Sequence, residues 1–363
     1  KIPAKLRSIS EEFHSPPFSG FLKSPHPMEK PSARRHPIKN IRAFRSSLLR
    51  WFSENAKSHP WRETTDPWAI LVSEIMLQQT TVSSVIANRR FERFLEEFPD
   101  IEAIAVAPEE KILRAWEGLG YYNRVRNLQK AAQFVLHEFC GNFPSDAATL
   151  ESLPGIGRYT AGAVSSFAFD RPAPIVDGNI ARVLSRLLDQ HQAVDSTPGK
   201  KAIWQSADKL LDPKNPRLFN SALMELGQTL CTPRSPSCLI CPVRDFCKTE
   251  TPEKLPVKKP RKKIIAVEEH AYLWIQGDKI LLSPGHDSRR KGFWKLPLRT
   301  ADECAHLSPV SKHHYVITNH KVTISLYREK PPHLISGEKY HHLGDLSNLP
   351  IATPIRKILA TLL

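Results

Sequence analysis

The stretch that most constrains this chain is residues 153–179, LPGIGRYTAGAVSSFAFDRPAPIVDGN. Leu153-Pro154-Gly155-Ile156-Gly157 separates two runs of helical character, 146–153 and 158–167. Glycines at 155 and 157 permit a tight hairpin and leave amide N–H groups uncovered at the start of the second helix. Unpaired donors and the helix dipole together suit a phosphate. A Pro-Gly-x-Gly turn alone is usually only a turn. Here a polar Asp177-Gly178-Asn179 follows the apolar Pro174-Ile175-Val176, and a new helix is expected over 180–188. A phosphate grip followed by a carboxylate at a helix entrance can hold a nucleotide against that carboxylate.

The 363 residues suffice for about two or three domains. With 52 Lys and Arg against 37 Asp and Glu, the formal charge is +15. That excess fits a polyanion partner, because binding releases counterions, although a merely soluble basic surface gives the same sum. No apolar run of about eighteen residues occurs, which argues against a membrane-spanning helix. Residues 1–40, rich in Pro, Ser, His and basic side chains, read as a disordered basic tail. Position 1 is not Met and Met28 is the first methionine; a start at Met28 and a cleaved targeting peptide both leave this trace. The expected location is a bacterial-type cytoplasm, with organellar targeting by residues 1–27 left open.

An apolar stripe at Ile41, Phe44, Leu48 and Phe52 marks the first helix of the body. Asp66 caps the next, with Pro67 at its first position. That helix turns Trp68, Leu71, Val72 and Ile75 inward, with Glu74 among them. Glu74 is either turned outward or desolvated, and desolvation would raise its pKa. Gln78 follows one turn later, so both can address one site. Further helices are expected over 82–97, 108–117, 122–138, 180–189, 200–211 and 216–229. Tyr121 and Tyr122, after the glycine turn 118–120, are either core rings or a stacking wedge. No βαβ alternation appears before residue 265, so the body is all-α.

Cys231, Cys238, Cys241 and Cys247 give C-x6-C-x2-C-x5-C, a metal site rather than a secreted disulfide framework. Four thiolates serve zinc or iron–sulfur equally by composition. Cys140 and Cys304 read as ordinary thiols. Residues 248–264 form a linker by their Pro and Lys content. The period then becomes that of strands, with a hairpin of 268–275 and 279–283 about Gly277-Asp278. Strands over 313–318 and 321–327 flank Asn319-His320, and Thr353 caps a last helix to 363.

Residues 153–179 resemble the helix-hairpin-helix of the DNA glycosylase superfamily that includes endonuclease III, with Asp177 at its essential aspartate. His59-Pro60-Trp61-Arg62, the run Ser73 to Thr80 (SEIMLQQT) and Gly118-Leu119-Gly120-Tyr121-Tyr122 are similar to the adenine DNA glycosylase (MutY) branch. The resemblance covers 41–247 and runs weakly to the C-terminus. It implies a multidomain protein: an all-α helix-hairpin-helix glycosylase body over 41–247, then a small α+β Nudix-like lesion-recognition domain over 265–363. The cysteine spacing matches that family's loop for one [4Fe–4S] cluster per chain. The implied partner is double-stranded DNA with adenine opposite 8-oxoguanine or guanine, bound by a monomer. Gly292 to Pro297 (GFWKLP) is similar to the Trp/Phe-Pro segment of the family's C-terminal domain, and Val316-Ile317-Thr318-Asn319-His320 to its recognition loop. That loop departs from the Phe-Ser/Thr-His pattern at Ile317 and Asn319. No Nudix box occurs in 265–363, so pyrophosphate hydrolysis is not expected.

Base release needs one acid and one anion. The resemblance implies that Glu74 protonates adenine N7 and that Asp177 stabilises or captures C1′ before water attacks. Tyr159 and Asn179 match positions that orient Asp177 and the water. The endonuclease III branch carries a Schiff-base lysine where this chain has Tyr159, so the expected product is an abasic site in an intact strand. Gln78, Gln79 and Tyr121 are expected to fill the gap left by the base. Trp61 and Arg62 would line the adenine pocket, Gly155 and Gly157 grip the backbone, and Thr318, Asn319 and His320 meet the opposite base. Two rival readings are an endonuclease III-like glycosylase/lyase on oxidised pyrimidines and a non-catalytic iron–sulfur DNA-binding protein. Tyr159 and the C-terminal domain disfavour the first; the pair Glu74 and Asp177 disfavours the second.

Overall fold

The computed structural model describes residues 38–260, 263–285, 292–317 and 319–362. The expected tail therefore lies, except for 38–40, outside the described residues, as do Met28 and Thr318. Helix α1 (Ile41–Asn55) is capped by Asn40 and buries Phe44, Leu48 and Phe52. Helix α2 (Pro67–Met76) has Asp66 accepting from the amides of Trp68 and Ala69, with Pro67 at its start. Every α2 residue from Trp68 to Met76 is buried, so this helix has no solvent face.

The expected helix 82–97 is instead two, α3 (Val82–Ala87) and α4 (Arg90–Glu97). Asn88 Nδ2 turns back to Ser84 O (3.0 Å), and Arg89 takes a left-handed φ of 48°, which breaks the helix. Helix α5 (Ile101–Ala105), capped by Asp100, is too short to show a period in sequence. Then come α6 (Glu109–Ala115), α7 (Asn123–Phe139), α8 (Ala147–Glu151), α9 (Arg158–Phe169), α10 (Gly178–Leu187), α11 (Thr197–Leu210) and α12 (Pro216–Thr229). Between α8 and α9, Gly155 has φ +74°, and a Cβ there would stand 2.4 Å from Asn127 Cβ. Only glycine lets the hairpin close against α7.

Two cores result. One gathers α2, α4, α7 and the hairpin; the other joins α1 to α10, α11 and α12 and reaches the cysteine loop through Val243 and Phe246. Residues 248–260 are strapped to this body rather than behaving as a free linker. Arg186 Nε donates to Pro252 O (2.7 Å) and Leu255 O (3.1 Å), and Val194 N donates to Val257 O (2.9 Å).

The C-terminal lobe holds β1 (Ile265–Tyr272), β2 (Ile275–Gln276), β3 (Lys279–Pro284), β4 (Trp294–Lys295), β5 (Leu298–Arg299), β6 (Ser311–Ile317), β7 (His320–Tyr327) and β8 (Lys339–His342), then helix α13 (Thr353–Leu362). One sheet runs β5-β1-β7-β6 with β1 and β7 parallel, the other β2-β3-β4 with β8 on β3. The expected strand 268–275 is thus split between sheets. Ala271, Tyr272 and Leu273 are all buried, which a single half-buried strand does not allow. Leu273 N donates to Tyr327 O, after which the chain crosses to the second sheet. The β6–β7 hairpin pairs Ile317 with His320.

Phe44 is fully buried and packs edge-on against Phe219 (centroids 6.2 Å apart) and Phe246 (5.7 Å). Phe44→Ala should lower stability by about 3–5 kcal/mol in urea unfolding followed by helical circular dichroism. A loss below about 1 kcal/mol would mean that α1 is not seated on the body as described.

Candidate active site

Glu74 lies in the last full turn of α2 and is 5% exposed, so it is desolvated rather than turned outward. Burial lifts its pKa from 4.5 to about 7; a hydrogen bond from Tyr159 opposes the rise and the nearby Asp177 adds to it. Tyr159, on the first turn of α9, donates from its hydroxyl to Glu74 Oε2 at 2.7 Å. Its phenol therefore sits on Glu74, not on Asp177. Burial, then the Glu74 and Asp177 carboxyls, push the Tyr159 pKa well up, which keeps it a donor.

Asp177 is the N-cap of α10. Its Oδ1 accepts from Ile180 N (2.7 Å) and its Oδ2 from Asn179 Nδ2 (2.8 Å). A short side chain at an N-cap is held by the helix's own unpaired amides, so its orientation follows from local sequence. Asn179 Oδ1 in turn accepts from Arg182 Nη2 (3.0 Å), whose Nε reaches Cys231 O (2.8 Å).

Glu74, Tyr159, Asp177 and Asn179 line one cavity of about 1290 Å³ together with Gln78, Gln79 and Tyr121. Gln78 Nε2 approaches Thr160 Oγ1 at 3.3 Å. The C-terminal lobe closes one side with Val316, Ile317 and the start of α13. Asn319 and His320 are not in this wall: Asn319 Nδ2 turns to Lys263 O (3.3 Å), and His320 starts β7. Trp61 and Arg62 line a smaller adjoining pocket that shares Glu74. Arg62 pairs there with the fully buried Glu225 (2.7 Å). Gly155 and Gly157 lie outside both pockets, at the hairpin.

The four cysteines fall on one loop, with Val243 buried behind it. Arg186 Nη1 stands 3.3 Å from Cys231 Sγ and donates to Thr232 O (2.7 Å). Burial raises the Cys241 and Cys247 thiols, and Cys231 and Cys238 raise both further. A buried guanidinium against this set suits anionic sulfur ligands. Among the described residues, no three His, Cys, Asp or Glu side chains surround a single-ion position. Cys140 is exposed and Cys304 buried.

Sequence reasoning passed over Met224 and Gln228, which line both pockets from α12, and the buried Arg182 and Arg186. The latter two carry no signal in the helical pattern, because on α10 they lie away from the apolar stripe of Ile180, Val183, Leu184 and Leu187.

Residues 72–213 match the family described as HhH-GPD superfamily base excision DNA repair protein, and 231–247 match the iron–sulfur binding domain of endonuclease III. The chain is 42% identical over 220 residues to an adenine DNA glycosylase of Mus musculus, covering 58% of this chain and 42% of that protein. It therefore spans less than half of that mammalian relative. With an adenine DNA glycosylase of Buchnera aphidicola subsp. Baizongia pistaciae it is 35% identical over 256 residues, covering 69% of this chain and 71% of that one. The solved structure of a thermostable thymine-DNA glycosylase aligns with TM-score 0.53 and 31% identity, covering 58% of this chain and 96% of that one.

The raised Glu74 pKa has a stability consequence. Between pH 4.5 and about 7 the unfolded chain ionises Glu74 while the folded protein keeps it protonated. Its contribution is thus complete below pH 4.5 and falls by ~3 kcal/mol as pH rises to about 7. Glu74→Gln escapes this. Urea unfolding of both proteins at about pH 5 and pH 8 should show the variant gaining most of that amount over wild type. A pH-independent difference would mean that Glu74 is solvated.

Proposed function

Because the chain belongs to the adenine DNA glycosylase family, we propose that it releases adenine mispaired with 8-oxoguanine or guanine in duplex DNA, as a monofunctional glycosylase acting as a monomer. The observation that carries this reading is the Tyr159–Glu74 hydrogen bond in a cavity shared with Asp177 and Asn179. Glu74, near pKa 7, holds a proton that it can give to N7 as the glycosidic bond lengthens. Tyr159 occupies Oε2 and so leaves Oε1 to face the base. Asp177, fixed by two donors, supplies the negative charge for a sugar with oxocarbenium character, and water completes the hydrolysis.

No amine stands at 159, and a phenol forms no imine with C1′. The product is accordingly an abasic site in an uncut strand. The target adenine must leave the stack to reach Glu74, which is easiest at a mispair. Gln78, Gln79 and Tyr121 fill its place, and Trp61 borders the pocket it enters. The 265–363 lobe serves as a Nudix-like reader of the opposite base through the β6–β7 hairpin.

Cys231, Cys238, Cys241 and Cys247 hold one [4Fe–4S] cluster, a reading supported by their spacing and by the iron–sulfur family match over 231–247. Bound there, the cluster would cross-link a loop carrying Arg234 and Arg244 and supply no step of base release.

With adenine opposite 8-oxoguanine, the protein should leave an alkali-labile site and almost no strand break before alkali. In single-turnover assays Glu74→Gln and Asp177→Asn should each lower the rate by about a hundredfold or more, with duplex binding little changed. Rates within about threefold of wild type would remove the assigned roles. Metal analysis should find about four irons per chain. One zinc and no iron would overturn the cluster.

A further inference from the structure

Arg124, at the start of α7, has no place in that scheme, yet it is 9% exposed and among the most extensively bonded side chains of the body. Its Nη1 donates to Ile75 O (2.9 Å), Met76 O (3.1 Å) and Gln78 O. Its Nη2 donates to Leu119 O (2.9 Å) and Gly120 O (3.1 Å), and lies 3.4 Å from Thr80 Oγ1. The guanidinium carbon lies 5.5 Å from the Trp116 ring centroid and 5.6 Å from that of Tyr121.

These partners belong to two separate segments. Residues 75–80 comprise the last two residues of α2 and the turn beyond it, where carbonyls have no helical partner and the dipole is negative. Residues 118–121 form the glycine turn, whose carbonyls likewise lack a regular ladder. One planar fork serves both, and a point charge on a flexible stem would not.

Just beyond those carbonyls stand Gln79 and Tyr121, with φ of 56° and 47°. Both are left-handed non-glycine residues, a state that persists only where surroundings impose it. Both line the cavity that holds Glu74, and Tyr121 is 48% exposed. Two strained residues from distant segments thus reach one cavity, with one buried cation tying their backbones together.

We propose that Arg124 is a positioning residue for base extrusion, holding Gln79 and Tyr121 as a single pre-formed wedge before DNA arrives. The inference rests on the glycosylase reading above. Ordering the wedge in the free protein removes that entropy loss from the step in which the duplex opens.

The test is a double-mutant cycle on excision of adenine opposite 8-oxoguanine under single-turnover conditions. It uses full-length wild type, Arg124→Lys, the double variant Gln79→Ala/Tyr121→Ala, and the triple variant. Arg124→Lys should slow excision about tenfold to a hundredfold in the wild-type background. In the Gln79→Ala/Tyr121→Ala background it should slow it less than about threefold, because the residues it acts through are gone. Equal losses in both backgrounds would reduce Arg124 to general scaffolding and overturn the proposal, as would no loss in the first. An inactive wild type would instead reject the glycosylase reading. Hydrogen exchange on the wild-type protein tests the same idea without relying on a variant that folds: amides of 77–80 and 119–122 should become exchangeable in one cooperative opening. Independent opening of the two segments would also overturn it.

Discussion

The structure depends on a carboxyl group carried by a helix that has no solvent face. Helix α2 is buried along nine consecutive residues, from Trp68 to Met76, so its amide groups are satisfied internally and its side chains contact protein on all sides. Glu74 is the one ionisable group in that run. Its desolvation is a property of the fold rather than of a local turn, since α7 and α9 must both pack before water is excluded. Building such a site opposes folding at neutral pH, and the surrounding apolar clusters offset it.

Around that group the chemistry is divided between elements of different character. Glu74 and Tyr159 come from packed helices and meet through a contact 85 residues apart in sequence. Asp177 is oriented by its own helix end and by Asn179, two residues on. The acid therefore answers to long-range packing and the anion to local capping. Their environments can be altered separately, although they share a cavity.

What could be read from sequence follows the same division. The Asp66–Pro67 start of α2, the 216–229 helix and the cysteine spacing are local patterns, and they were legible. The direction of Glu74 was not, because an apolar stripe does not say whether a helix's other face is also covered. The break at Asn88–Arg89 escaped notice because apolar residues continue in helical period across it. The parallel pairing of β1 with β7 joins strands more than fifty positions apart, and no hairpin signal announces it. Least legible were Arg124, Arg182 and Arg186. Their partners are largely backbone carbonyls of distant segments, and side-chain patterns carry no trace of a carbonyl left over by a turn.

Arg186 shows what such a hub implies for the molecule as a moving object. One guanidinium holds carbonyls of the cysteine loop at Cys231, Thr232 and Pro233, and carbonyls of the strap at Pro252 and Leu255. The strap leads directly into β1 and the C-terminal lobe. Loop and strap thus share one anchor, and the strap has a second where Val194 N donates to Val257 O. Order at the sulfurs and order in the strap therefore draw on the same guanidinium, which stands 3.3 Å from Cys231 Sγ and 2.7 Å from Pro252 O.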